Sequence, residues 1–284
     1  MRLSYLLVEI AALVFFARGI LESKKKNAGR LVEFVMIFFY GLLLEELDQR
    51  IFKSYHYSPD FFLTLGHVPI AIALLWAVIL ASSMAISDAL GLPIMIRPFA
   101  DALLAVWIDL SLDAIAIRAG FWMWSIPLNE GWFGVPAGNL YAWMWVAFFF
   151  SAWARVVRNL VERGKSKWIY LAIPFLAYVG LFIAMNALGF LGKGLGLTTQ
   201  SQRLFIFWIQ FLIFLLIVLW GWKSRRPSGE KVSGIWKSSR FAIHVYFLTL
   251  FLITGMFRAL PILGAVALIT LTGEQGLWRL LKPK

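Results

Sequence analysis

The chain has 284 residues, is 61% hydrophobic with a mean hydropathy of +0.78, and carries a formal net charge of +12. A soluble domain is nearer half apolar, and several runs here approach the roughly 20 residues that cross a bilayer. An ordinary soluble domain is therefore excluded, and the absence of cysteine excludes a disulfide framework and thiol chemistry.

In chain order the apolar runs predict spans near residues 3–20, 31–47, 63–86, 93–117, 138–159, 168–190, 204–222 and 241–257. All should be helices, because a bilayer offers no partner to open backbone groups. The first span holds Glu9 and Arg18 and lacks a small-residue cleavage site, so it does not read as a signal peptide. A last apolar stretch, residues 260–271, is short and contains Pro261 and Gly264, which predicts a tilted or re-entrant half-helix. The expected fold class is all-α: a polytopic integral membrane helical bundle of about eight transmembrane helices, one domain over residues 1–284, multi-pass in the cell membrane.

Basic residues gather between spans: Lys24, Lys25, Lys26 and Arg30; then Arg155, Arg158, Arg163, Lys165 and Lys167; then Lys223, Arg225, Arg226, Lys231, Lys237 and Arg240. This pattern follows the positive-inside rule and argues against a nucleic-acid surface. It places those loops in the cytoplasm. The amino terminus and the loops at residues 48–62 and 118–137 then lie outside. The segment 223–240, with Pro227, Ser228, Gly229 and Gly234, predicts a flexible linker.

Two aspartates, Asp109 and Asp113, lie four residues apart within the fourth span and so share a helix face. Ionisable groups in such spans are costly and point to function. A carboxyl group kept neutral in apolar surroundings can deliver a proton. The alternative is a buried ion pair with Arg97, Arg118 or Arg258. Glu45, Glu46 and Asp48 close the second span, and Glu45 is the candidate to face a pocket. Glu9 and Glu33 are expected in interhelix pairs.

Behind the aspartates runs an aromatic, glycine-rich loop with Phe121, Trp122, Trp124, Trp132 and Phe133. Aromatic faces attract positive charge and bury much apolar area, which suits an isoprenoid passing through a carbocation. The contrary reading is an interfacial aromatic belt. Asn139 either orients a water or caps the fifth span, the cap being the simpler reading. Tyr55 and Tyr57 belong to an outer polar-aromatic turn with an exposed His56. His67, beside Pro69, is placed at the cavity, and His244 is expected to be a satisfied bundle residue. The three histidines are scattered and no metal site is predicted.

These residues carry a resemblance. The stretches Tyr40 to Glu45, Phe52 to Tyr57, Val68 to Trp76 and Asp109 to Trp143 resemble the carotenoid biosynthesis membrane proteins that include bacterial carotenoid hydratases and the archaeal bisanhydrobacterioruberin hydratase. The resemblance is dense over residues 35–160. It implies addition of water to a terminal isoprenoid double bond of an acyclic carotenoid or other polyisoprenoid, with no cofactor and with membrane lipid as surroundings. On that reading Asp109, Asp113 and Glu45 are catalytic. Trp122, Trp124, Trp132, Phe133, Asn139, Tyr55, Tyr57 and His67 bind the substrate. Two rival readings are a magnesium-dependent membrane prenyltransferase, half of whose aspartate equipment Asp109 and Asp113 resemble, and a non-enzymatic carotenoid-binding, lipid-binding or transport protein.

Overall fold

A computed structural model describes residues 2–226 and 231–281. Among the described residues nine α-helices follow one another: α1 (Arg2–Lys26), α2 (Ala28–Leu47), α3 (Ile70–Ala89), α4 (Arg97–Arg118), α5 (Ala137–Glu162), α6 (Ile173–Gly194), α7 (Gln200–Trp222), α8 (Gly234–Ile253) and α9 (Pro261–Leu280). The fold is an all-α bundle. Five stretches, Leu3–Lys26, Ile70–Ala89, Ala137–Glu162, Lys167–Gly194 and Gln200–Trp222, are long and apolar enough to cross a membrane. The other predicted spans, α2, α4 and α8, have the length but carry buried charge. One hydrophobic cluster runs through the bundle and draws side chains from all nine helices.

Helix starts follow local chemistry. Asn27 caps α2 by accepting from the Arg30 amide at 2.8 Å. Thr199 and Gln202 form a reciprocal capping box on α7. Proline occupies the first turn of α4, α6 and α9, where its missing N–H costs nothing.

Helix α4 is the axis, touching α3, α5, α7, α8 and α9. Its alanines at 100, 102, 105, 114 and 116 are buried, and small side chains let neighbouring backbones approach.

The stretch beyond residue 260 differs from expectation. It is not a half-helix, because α9 continues to Leu280. The continuation is possible because Glu274 is neutralised. Arg240 of α8 binds it at 2.6 and 2.9 Å, Trp278 donates to it at 2.9 Å, and His244 Nε2 lies 3.7 Å away. Arg240 is therefore not a loop residue. It is fully buried and also donates to Ser83 and to the Leu104 carbonyl.

Arg155 and Arg158 likewise lie inside α5. Arg155 pairs with Asp101 at 2.7 Å and Asp88 at 3.0 Å, and Arg158 pairs with Glu33 and, at 3.1 Å, with Asp88. Arg30 and Arg97 complete the network through Glu33 and Asp88. Burying a charged carboxylate is costly unless it is paired, and here that cost is offset by arginines that the spacing assigns to a loop. The remaining basic residues stay where the α1–α2, α5–α6 and α7–α8 connections meet, at one end of the bundle. The predicted linker 223–240 is too long at its far end, because α8 begins at Gly234 and takes residues 234–240; Pro227, Ser228 and Gly229 lie outside the described residues.

At the opposite end the two long loops pair. Strand β1 (Tyr55–Tyr57) lies antiparallel to β4 (Trp122–Trp124), with Tyr55 opposite Trp124 and Tyr57 opposite Trp122. A second small hairpin, β2 (Thr64–Leu65) and β3 (Val68–Pro69), precedes α3. It takes residues assigned to the third span, which starts as a helix only after Pro69. Gly66, at its turn, has φ 62°, and an added Cβ would meet the Glu46 carboxylate at 2.8 Å.

Candidate active site

A cavity of about 600 Å³ opens in the half of the bundle nearest the paired loops. Two sets of carboxyl groups face it.

The first set sits on α4. Asp109 and Asp113 are 1% and 2% exposed. Asp113 accepts three N–H groups: Trp122 Nε1 at 2.5 Å and Trp124 Nε1 at 3.3 Å on Oδ1, and Asn139 Nδ2 at 2.5 Å on Oδ2. Asp109 accepts one long contact from the same amide, 3.3 Å to Oδ2, and its buried Oδ1 has no protein partner. The ion-pair alternative does not hold. Arg97 binds Asp88, Arg118 donates to the carbonyls of Ala114, Leu128 and Phe133, and Arg258 lies over the Phe257 ring. Every donor to the two aspartates is neutral.

The second set is Glu45, near the end of α2. Its Oε2 accepts from the Tyr55 and Tyr57 hydroxyls, the latter at 2.6 Å, and its Oε1 accepts from Trp76 Nε1 at 2.7 Å. Gly41 makes the last contact possible. A Cβ there would meet Trp76 Cβ at 2.9 Å, so only glycine lets α3 lie close enough to put the indole under Glu45, one turn away. Burial, and then the charge of Glu45, push the Tyr55 and Tyr57 hydroxyls well above the ordinary tyrosine range. They remain protonated donors at neutral pH. Asp48 closes the polar wall, held by Ser54, and its burial raises its carboxyl above the usual range.

The β1–β4 pairing unites the two sets. Side chains alternate along a strand, so Tyr55, Tyr57, Trp122 and Trp124 turn inward while His56 and Met123 turn outward. The tyrosines reach Glu45 and the indoles reach Asp113. Leu75, Trp76, Ala142 and Trp143 supply apolar wall.

Three predicted substrate-binding residues lie elsewhere. Trp132 donates to the Leu110 carbonyl at 2.8 Å and packs on Trp208 of α7, because Leu110 points away from the face that carries Asp109 and Asp113. Phe133 takes a left-handed backbone, φ 49°, in a tight turn between Gly131 and Gly134. Its ring lies against Trp132. His67 is exposed on the β2–β3 turn, where its amide and ring bind Glu46. Asn139 is not the cap of α5, since Pro136 occupies that position, and its amide is free to reach the aspartates. Among the described residues Glu9 has no ion-pair partner; it accepts the amides of Phe62 and Leu63 at 3.0 and 2.9 Å and anchors that loop. Glu33 is in the interhelix pairs expected of it. Among the described residues no group of three or more His, Asp or Glu side chains is arranged to hold a metal ion.

The family model for carotenoid biosynthesis proteins matches residues 1–198. The chain belongs to the carotenoid biosynthesis protein family. The matched segment covers α1 to α6, and with them both carboxyl sets, the strand pair and the α6 side of the cavity of this carotenoid biosynthesis protein. No curated protein and no solved structure matches the chain.

Proposed function

We propose that this family member is a carotenoid hydratase that adds water to a terminal trisubstituted double bond of an acyclic carotenoid, working in the cell membrane. The observation that carries the reading is the unlike provision for two carboxyl sets across one apolar cavity. Glu45 has three donors and no cation, an arrangement that suits a carboxylate. Asp109 is buried with one long donor and a free oxygen, and two adjacent carboxyls do not readily both carry charge. Asp109 is thus the proton donor, and Asp113 is the member fixed by Asn139 and the indoles.

Asp109 gives its proton to the less substituted alkene carbon. The π electrons form that C–H bond and leave a tertiary cation, which the faces of Trp122 and Trp124 and the charge of Glu45 stabilise. Water attacks the cation and passes a proton to Glu45, giving a tertiary alcohol. Glu45 then releases its proton to solvent and solvent reprotonates Asp109, so the enzyme is restored and the net change is addition of one water. Proton transfer by positioned groups is worth on the order of 10²–10⁴-fold in rate, and positioning supplies the rest.

The test is expression in cells that make acyclic carotenoids, with mass analysis of the pigments. Gain of one water supports the proposal. Gain of an isoprene unit points to prenyl transfer, and pigment bound without conversion points to a binding protein. Asp109→Asn and Asp113→Asn keep the side-chain shape, and at least one should abolish hydration while the protein still inserts in the membrane. Full activity in both removes the pair from the mechanism.

A further inference from the structure

We infer that the substrate's chain leaves the carboxyl groups along α6, and that Gly138 and Gly189 set the width of that path. The inference rests on the cavity being an isoprenoid site. One face of α6 lines the cavity at spacings of three and four residues, through Tyr178, Leu181, Met185, Gly189 and Lys193. From Tyr178 to Lys193 the helix rises about 22 Å, so this wall is far longer than the carboxyl centre needs. Its one charged side chain is the exposed Lys193 at the far end. Asp109, with its orphan oxygen, lines the same cavity. A cavity with a long, mostly apolar α6 wall, broken by Asn186, and with its carboxyl groups supplied by the facing α2 and α4 sides fits an unbranched hydrocarbon chain whose reacting alkene lies at the carboxyl groups.

The two glycines are the unusual part. Glycine inside a helix is unfavourable relative to alanine and needs a reason. Gly180, also on α6, has one, since a Cβ there would meet the Phe149 ring at 2.5 Å. Gly138 and Gly189 do not share it. Neither has a positive φ, and a Cβ built on either meets nothing within 4 Å. Both line the cavity, one on α5 and one on α6. Gly194, Gly234 and Gly276 are equally open but off the cavity; at the half-buried Gly138 and the exposed Gly189 a side chain would extend from the cavity lining into open space.

The experiment uses the full-length purified protein with two probes bearing the same terminal alkene: a long all-trans acyclic polyene and a monoterpene-sized alkene. Binding is read by quenching of tryptophan fluorescence. Gly189→Leu and Gly138→Leu should weaken the long probe about tenfold, the scale of overfilling a packed contact. The loss for the short probe should be smaller, and Gly189→Ala should fall between wild type and Gly189→Leu. Gly194→Leu, on α6 but off the cavity, is the control and should bind both probes as wild type does. Unchanged binding of the long probe in both leucine variants, or equal losses for the two probes, overturns the inference. Binding is measured without turnover, so a wild type that binds the polyene yet adds no water sinks the hydration reading alone.

Discussion

Replacing Asn139 by leucine keeps the approximate size of the side chain and removes the amide that touches both aspartates. Its Nδ2 lies 2.5 Å from Asp113 and 3.3 Å from Asp109, so the shorter bond dominates the loss. A hydrogen bond to a charged group contributes about 1.5–3 kcal/mol. Lost in full from the transition state, that is a roughly 10- to 150-fold fall in kcat/KM. The helix should survive, because Pro136 rather than Asn139 begins α5 and leucine is a good helix former. The assay is mass detection of the water-added product from purified protein, with bound pigment measured in parallel. Asn139→Asp should cost more than Asn139→Leu, since it sets a third carboxyl against two. A double-mutant cycle with Asp113→Asn isolates the pair: both changes remove one bond, so their losses should not add. Wild-type turnover in Asn139→Leu, or strictly additive losses, refutes the amide as the holder of the aspartates.

The two tryptophans should separate. Trp124→Leu should lower turnover roughly three- to thirtyfold if its ring stabilises a cation, whereas Trp132→Leu should leave turnover intact and lower thermal stability; equal rate losses in the two would refute the geometry. Because their pKa values are raised, Tyr55 and Tyr57 stay neutral in the folded protein where free tyrosine ionises, near pH 10. Their contribution to stability is whole below that pH and is lost as pH rises through the folded values. Ultraviolet titration should therefore show the same ionisation near pH 10 for the folded wild type and for the Tyr55→Phe and Tyr57→Phe variants. Glu274→Leu leaves Arg240 buried and unpaired and should cost about 3–5 kcal/mol of stability. The double variant Arg240→Leu with Glu274→Leu should recover much of that in the same unfolding measurement, and no recovery would contradict the pairing.

The helices were legible because apolar runs bounded by proline, glycine and charge leave few alternatives. Of the carboxyl groups that face the cavity, Asp109, Asp113 and Glu45 were legible as costly charges in apolar sequence. Their partners were harder. Trp76 reaches Glu45 only through the close α2–α3 approach at Gly41, which nothing in the periodicity announces. Asp88 and Glu274 lie in runs apolar enough to hide them, and only the arginines packed against them reveal their role. Trp132 and Trp124 look alike in the chain; which side of α4 each meets is decided by a loop turn. One signal was available: aromatics two apart, Tyr55-His56-Tyr57 and Trp122-Met123-Trp124, mark strands rather than unstructured loops.

That pair of short strands has a mechanical consequence. The hydroxyls that serve Glu45 and the indoles that serve Asp113 hang from one two-stranded ribbon, so the two halves of the centre share a single adjustable joint. A slip of one residue in β1 would turn His56 inward in place of Tyr55 and Tyr57; the same slip in β4 would present Met123 in place of both tryptophans. Neither half can be retuned by moving its strand without disturbing the pairing that seats the other. Loop-length changes in the segments 48–62 and 118–137 should therefore act on both halves at once, like a key cut on both edges.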